Sequence, residues 1–125
     1  MHEMILMIDD EVDITKTVRF VLEDAGYDVA IAANGKEGLE KARLRNPDLI
    51  ILDLKLPQLP GEAVCKEIRS DAKIAKTPII MLTSKDSDAD RVIGRVIGAD
   101  FYMTKPFDLD VLSAKIVELL KNKKK

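Results

Sequence analysis

The sequence is short of cysteine and histidine, lacks long apolar runs and carries almost no net charge, and each shortage removes a class of function. Cys65 is the only cysteine, which excludes a disulfide framework and a thiolate cluster for zinc or for iron and sulfur. A buried structural thiol on a helix is its expected role. His2, the only histidine, stands in a terminal segment ahead of the first apolar run, so catalysis by an imidazole base of a Ser-His-Asp or Cys-His type is not expected. The longest apolar runs, such as "LIIL" at 49–52 and "IIML" at 79–82, fall far below the roughly 18 residues that cross a bilayer. No basic-then-apolar leader opens the chain, and a cytoplasmic protein with no membrane partner is expected. Net charge is -2, with 22 acids against 20 bases, which argues against direct nucleic-acid binding by the domain itself. Only the tail is lopsided: its lysines, ending in "KNKKK", would complement a helix C-terminus.

What is present fits one domain. The 125 residues, 46% of them apolar, can build one real core and leave no room for a second. The domain is expected to span 1–125, with 1–3 and 122–125 frayed. Short apolar runs at Met4–Ile8, Tyr27–Ile31, Asp48–Leu54, Pro78–Thr83 and Phe101–Thr104 read as strands. Three of them are nearly continuous in apolar residues, as strands covered on both faces of a parallel sheet must be. Met4, Met7, Met81 and Met103 fall in these runs and are expected to fill the core.

Between the runs, apolar residues recur at helical spacing, as at Val18, Val21 and Leu22 and at Leu112, Ile116, Leu119 and Leu120. Asn34, Asp86 or Ser87, and Asp108 are candidate N-caps, while Gly26 and Gly98 follow predicted helix ends. The tally is five strand–helix units, (βα)5. It predicts a single-domain α/β fold: a flavodoxin-like doubly wound parallel sheet, strand order 2-1-3-4-5.

Ligands of such sheets bind beyond the carboxyl ends of the strands. Strand 1 ends in Asp9 and Asp10, strand 3 in Asp53, strand 4 in Thr83, and strand 5 runs into Lys105. Strands 1 and 3 are neighbours in this order, so three carboxylates converge. Like charges this close repel by about 4 kcal/mol per pair at an effective dielectric near 20, so the cluster must hold protons or a cation. Few oxygen ligands, with room for water and phosphate oxygens, favour magnesium over zinc. The competing view is that Asp9 to Glu11 only supply acids to the start of a helix. With a hydroxyl and an ammonium facing a cation site, the set suits phosphoryl transfer onto one of the carboxylates.

The set resembles the receiver domain of two-component response regulators, over essentially the whole chain. "ILMIDDE" opens it, "DLKLPQLPG" resembles the acceptor loop, with proline four and glycine eight residues after Asp53, and "GADFYMTKPF" resembles the strand 5 signature. The resemblance implies the same strand order. It also implies that Asp53 accepts a phosphoryl group from a sensor histidine kinase or a histidine phosphotransfer protein. Asp9, Asp10, Asp53 and the main-chain carbonyl of Lys55 would bind Mg2+, with Mn2+ able to substitute. Thr83 and Lys105 would hold the phosphoryl oxygens, Tyr102 would be the switch aromatic, and the Lys105–Pro106 bond would be cis. Such a domain is no enzyme beyond its own phosphorylation and dephosphorylation. Its output is a reshaped face of the fourth helix, fifth strand and last helix that controls an output protein or effector domain.

Two departures bear on that output. Arg91 and Lys115 match basic positions of the charged dimer face found in receivers that drive winged-helix DNA-binding domains, but Phe101 and Val111 stand where acids are expected. An apolar docking patch is the alternative for this face. Lys55 and Lys85 lie two residues beyond Asp53 and Thr83, where a cation could shield an acyl phosphate from water. Among rivals, haloacid-dehalogenase-type phosphatases need an aspartate two residues past the nucleophile, and Lys55 stands there instead. A nucleotide-binding flavodoxin relative lacks its glycine-rich loop after strand 1. A binding module that acts without phosphorylation, and the receiver portion of a longer DNA-binding regulator, stay open as alternatives.

Overall fold

The computed structural model describes residues 2–84 and 98–123. In chain order they form β1 (Met4–Ile8), α1 (Val12–Asp24), β2 (Asp28–Ala32), α2 (Gly35–Arg45), β3 (Leu49–Asp53), α3 (Gly61–Ser70), β4 (Ile79–Ser84), β5 (Phe101–Lys105) and α4 (Leu109–Lys123). The fourth predicted helix, with the candidate caps Asp86 and Ser87 and with Lys85 and Arg91, lies outside the described residues. The last predicted helix is therefore α4.

All strand pairs are parallel and the order is β2-β1-β3-β4-β5, as expected for the doubly wound fold. Alternation along each strand sorts the apolar runs onto two faces. Leu6, Ile8, Ile50, Leu52, Ile79 and Met81 pack with Leu39 and Ala42 of α2 and Val64, Cys65 and Ile68 of α3. Ile5, Met7, Leu49, Ile51, Ile80 and Leu82 pack with Val18 and Leu22 of α1 and Leu112, Ile116 and Leu120 of α4. Two covered faces are why β1, β3 and β4 read as unbroken apolar runs, and each fully buried Ile or Leu contributes about 1.5–3 kcal/mol. Cys65 is fully buried on the α2/α3 face, and burial pushes its thiol above the ordinary value, which suits an inert filler.

Local chemistry sets the element ends. Asn34 caps α2 by accepting from the Glu37 N–H at 2.8 Å, and Glu37 reaches back to the Ala33 N–H at 2.8 Å. That backbone contact, with Lys41 beside it, holds the Glu37 carboxyl below its ordinary value. Asp108 accepts from the N–H groups of Asp110 and Val111 at the start of α4. Gly26 follows α1 with φ +101°, and Gly98 has φ +95°. The α2 end is closed by Asn46 in the left-handed region at φ 48°, a C-cap that the sequence reading did not name although Asn before Pro47 is a fitting signal.

Every strand but β1 differs from expectation by a residue at one or both ends. The second strand begins at Asp28 because the Tyr27 N–H closes the α1 turn onto Leu22 O. The third strand excludes Asp48, whose carboxylate accepts from the Met4 N–H at 2.7 Å. The last helix is described through Asn122 to Lys123, and Glu3 O accepts from the Asp28 N–H. Away from the carboxyl edge, Arg69 of α3 bonds the carbonyls of Ala75, Thr77 and Gly98 and the Asp100 carboxylate. It ties the α3 end to the heads of β4 and β5.

Candidate functional site

Register decides which side chains meet at the carboxyl edge. Ile8 pairs with Leu52, so Asp9 follows β1 level with Asp53, the last residue of β3. Asp53 pairs with Leu82, Thr83 with Thr104, and Ser84 with Lys105. Thr83 and Lys105 therefore arrive at the same edge from β4 and β5. The Asp53 end is packed from below by the start of α3, where the Gly61 N–H donates to Leu54 O at 2.9 Å. A Cβ on Gly61 would lie 2.2 Å from Asp53 O, so the acceptor loop closes this tightly only because glycine stands eight residues after Asp53.

Asp9, Asp10 and Asp53 each offer a carboxylate oxygen within 4.8 Å of the others. Asp9 and Asp53 are buried, at 2% and 7% exposure, while Asp10 is exposed. The Lys105 ammonium lies 2.8 Å from Asp9 Oδ2, 3.1 Å from Asp53 Oδ2 and 2.6 Å from Glu11 Oε1. Asp9 Oδ1 accepts from the Glu11 N–H at 2.9 Å, and the Lys55 N–H reaches Asp53 Oδ1 at 3.3 Å. Thr83 is buried, and its hydroxyl has no hydrogen-bond partner among the described residues. An unpartnered buried hydroxyl costs free energy, about 1–3 kcal/mol, that an incoming acceptor oxygen would recover.

The electrostatics follow from this packing. Burial pushes the Asp53 carboxyl above its ordinary value, the Asp9 carboxylate pushes the same way, and Lys105 and the Lys55 N–H offset them only in part. For Lys105, burial works against the charge. Contacts to Asp9 and Glu11 and the nearness of Asp53 outweigh it and hold the ammonium above the usual lysine value. The donor set of three hard carboxylate oxygens, too few to fill an octahedral shell, fits magnesium with waters or phosphoryl oxygens completing it. The arrangement can hold a divalent cation, present a carboxylate nucleophile and place an ammonium beside it.

Tyr102 is half-buried on β5, against the α2/α3-side core. Lys55 is exposed, and the Lys105–Pro106 peptide is cis. Phe101 is half-buried with the Lys115 ammonium 4.3 Å from its ring centroid, and Val111 is 48% exposed. Arg91 and Lys85 fall outside the described residues. Glu11 is the residue that the sequence reading missed as a site member, having taken it only as an acid at a helix start. Its position in "DDE" was the available signal. No described helix is long and apolar enough to cross a membrane.

Comparison with known proteins gives one consistent answer. Residues 5–117 match the model of the response regulator receiver domain. The chain is 45% identical to the alkaline phosphatase synthesis transcriptional regulatory protein PhoP of Bacillus subtilis, over 97% of this chain and 50% of PhoP. It spans about half the length of the curated relatives it matches. The crystal structure of chemotaxis response regulator CheY4 of Vibrio cholerae superposes with a TM-score of 0.88 at 34% identity, covering 95% of this chain and 99% of that one. The receiver domain of the Pseudomonas aeruginosa sensor histidine kinase PA1611, solved with magnesium coordinated in its active-site cleft, gives 0.89 at 27% identity, covering 97% and 99%.

Proposed function

Because the chain belongs to the response regulator receiver family, we propose that Asp53 accepts a phosphoryl group from a sensor histidine kinase or a histidine phosphotransfer protein. The observation that carries this is a buried carboxylate 3.1 Å from a lysine ammonium, within a three-carboxylate cluster. When bound by Asp9, Asp10, Asp53 and the Lys55 carbonyl, magnesium, or manganese in its place, supplies positive charge that screens the nucleophile and the phosphoryl oxygens. An Asp53 oxygen attacks phosphorus, the O–P bond forms as the N–P bond to the donor imidazole breaks, and the electron pair leaves with the imidazole. Lys105 donates a charge-assisted hydrogen bond to one phosphoryl oxygen. The Thr83 hydroxyl, which has no hydrogen-bond partner among the described residues, donates to another. Beyond this self-modification and its reversal, the domain catalyses nothing.

Incubating the protein with magnesium and acetyl phosphate and weighing it intact tests the reading. An alkali-labile gain of one phosphoryl group on the wild type, absent from Asp53→Ala, is expected. No gain on the wild type refutes it.

Phosphorylation adds about -1.5 to -2 charge, which draws Thr83 and Lys105 inward and lets Tyr102 turn into the vacated space. The β5/α4 face changes with them and engages an output partner in the cytoplasm. Relatives of twice this length are transcriptional regulators, which favours an effector that controls transcription. Phe101, Tyr102, Met103, Phe107 and Val111 line a shallow groove of about 280 Å³ on this face, and we assign the apolar contact to it. Phe101→Asp is expected to weaken the output partner about tenfold, as for a central contact. Unchanged affinity in titration calorimetry would remove the groove from the interface.

A further inference from the structure

Resting on that reading, we propose that Glu11 is a positioning residue that holds the Lys105 ammonium at the rim of the cleft, so that Lys105 and the divalent cation occupy the site together. The ammonium donates to Glu11 Oε1 and Asp53 Oδ2, and Asp9 Oδ2 stands 2.8 Å away as an ion-pair neighbour, so three carboxylates lie within 3.1 Å of Nζ. Asp9 and Asp53 belong with Asp10 to the group whose oxygens converge; Glu11 does not. A cation bound by that group takes over two of the three partners and repels the ammonium. Among the described residues, Glu11 is the carboxylate that Lys105 keeps.

Its placement fits that role. The Glu11 N–H donates to Asp9 Oδ1 at 2.9 Å, which fixes the residue against the cluster. Its side chain is 54% exposed, so it anchors the 15%-exposed Lys105 without adding another buried charge. The contact at 2.6 Å is the shortest of the three. Without it, the ammonium is left with Asp9 and Asp53 alone and competes with the cation for both.

The test is a double-mutant cycle on magnesium affinity, read from backbone amide shifts during a magnesium chloride titration. The same spectra report whether each variant is folded. Glu11→Gln is expected to weaken magnesium about fivefold in the wild-type background and by less than about twofold in a Lys105→Met background. An equal loss in both backgrounds would mean that Glu11 acts only as bulk negative charge, and it would overturn the proposal. So would an unchanged affinity in Glu11→Gln, or no saturable magnesium binding by the wild type. Acetyl phosphate uptake by the same four proteins separates the two readings. A wild type that takes up no phosphoryl group, with the magnesium coupling present, sinks the phosphoacceptor function and leaves the role of Glu11 standing.

Discussion

In magnesium-free buffer at pH 7, Asp53→Asn is expected to melt above the wild type, and saturating magnesium is expected to reverse that order. The first half follows from linkage. Burial and the Asp9 carboxylate raise the Asp53 pKa in the folded protein above its ordinary 3.8, so between the two values the native state binds more protons than the unfolded one. Stability from this group is then highest below the unfolded pKa and falls as pH rises through the folded pKa. Above the folded pKa the whole penalty is present. Asparagine removes it, and its advantage should vanish below about pH 3.8, where both carboxyls are protonated.

The second half is mass action. Ligand that binds only the native state at a hundred times its dissociation constant adds about 2.7 kcal/mol. The wild type gains this and Asp53→Asn, lacking a charged ligand, gains much less. Melting curves with EDTA and with magnesium chloride, at pH 7 and below pH 3.8, check all of it. A metal-free asparagine variant that melts below the wild type at pH 7 would show that the Lys105 contact outweighs burial.

The other large effect is steric. Gly61→Ala places a Cβ 2.2 Å from Asp53 O and 2.7 Å from Leu54 Cα. Both neighbours are backbone at the end of a central strand, so relief must come from moving α3 or the acceptor loop. Overpacking of this kind costs about 3 kcal/mol, and more where backbone must shift. Urea unfolding should show that loss, and magnesium affinity should fall because Asp53 and the Lys55 carbonyl move with the loop. A variant that keeps both wild-type stability and affinity would show that the loop yields freely.

Much of this was legible in the chain. Continuous apolar runs such as Leu49–Leu52 demand two covered faces, and the packing of Ile50 against α3 and Ile51 against α4 supplies them. Chemistry placed at strand ends was readable because parallel register carries Asp9, Asp53, Thr83 and Lys105 to one edge. What could not be read depends on distances between side chains far apart in sequence. Glu11 meets Lys105 across 94 residues, and its place in "DDE" marks it as an acid near the cluster without telling that contact from a helix-start role. The five bonds of Arg69 likewise reach two separate segments, 75–77 and 98–100. The Asp28 start of β2 was missed because Tyr27 has strand propensity, yet its N–H is spent closing α1.

Asp53 is the proposed phosphoacceptor. Peptide mass mapping after treatment with acetyl phosphate, with magnesium and with EDTA, tests that role most directly. The account predicts one phosphoryl group, on Asp53 alone and only with magnesium. A modification on another residue, or none while a known receiver is modified alongside, would contradict it and leave the cluster as a cation site in a domain that binds its partner without phosphorylation.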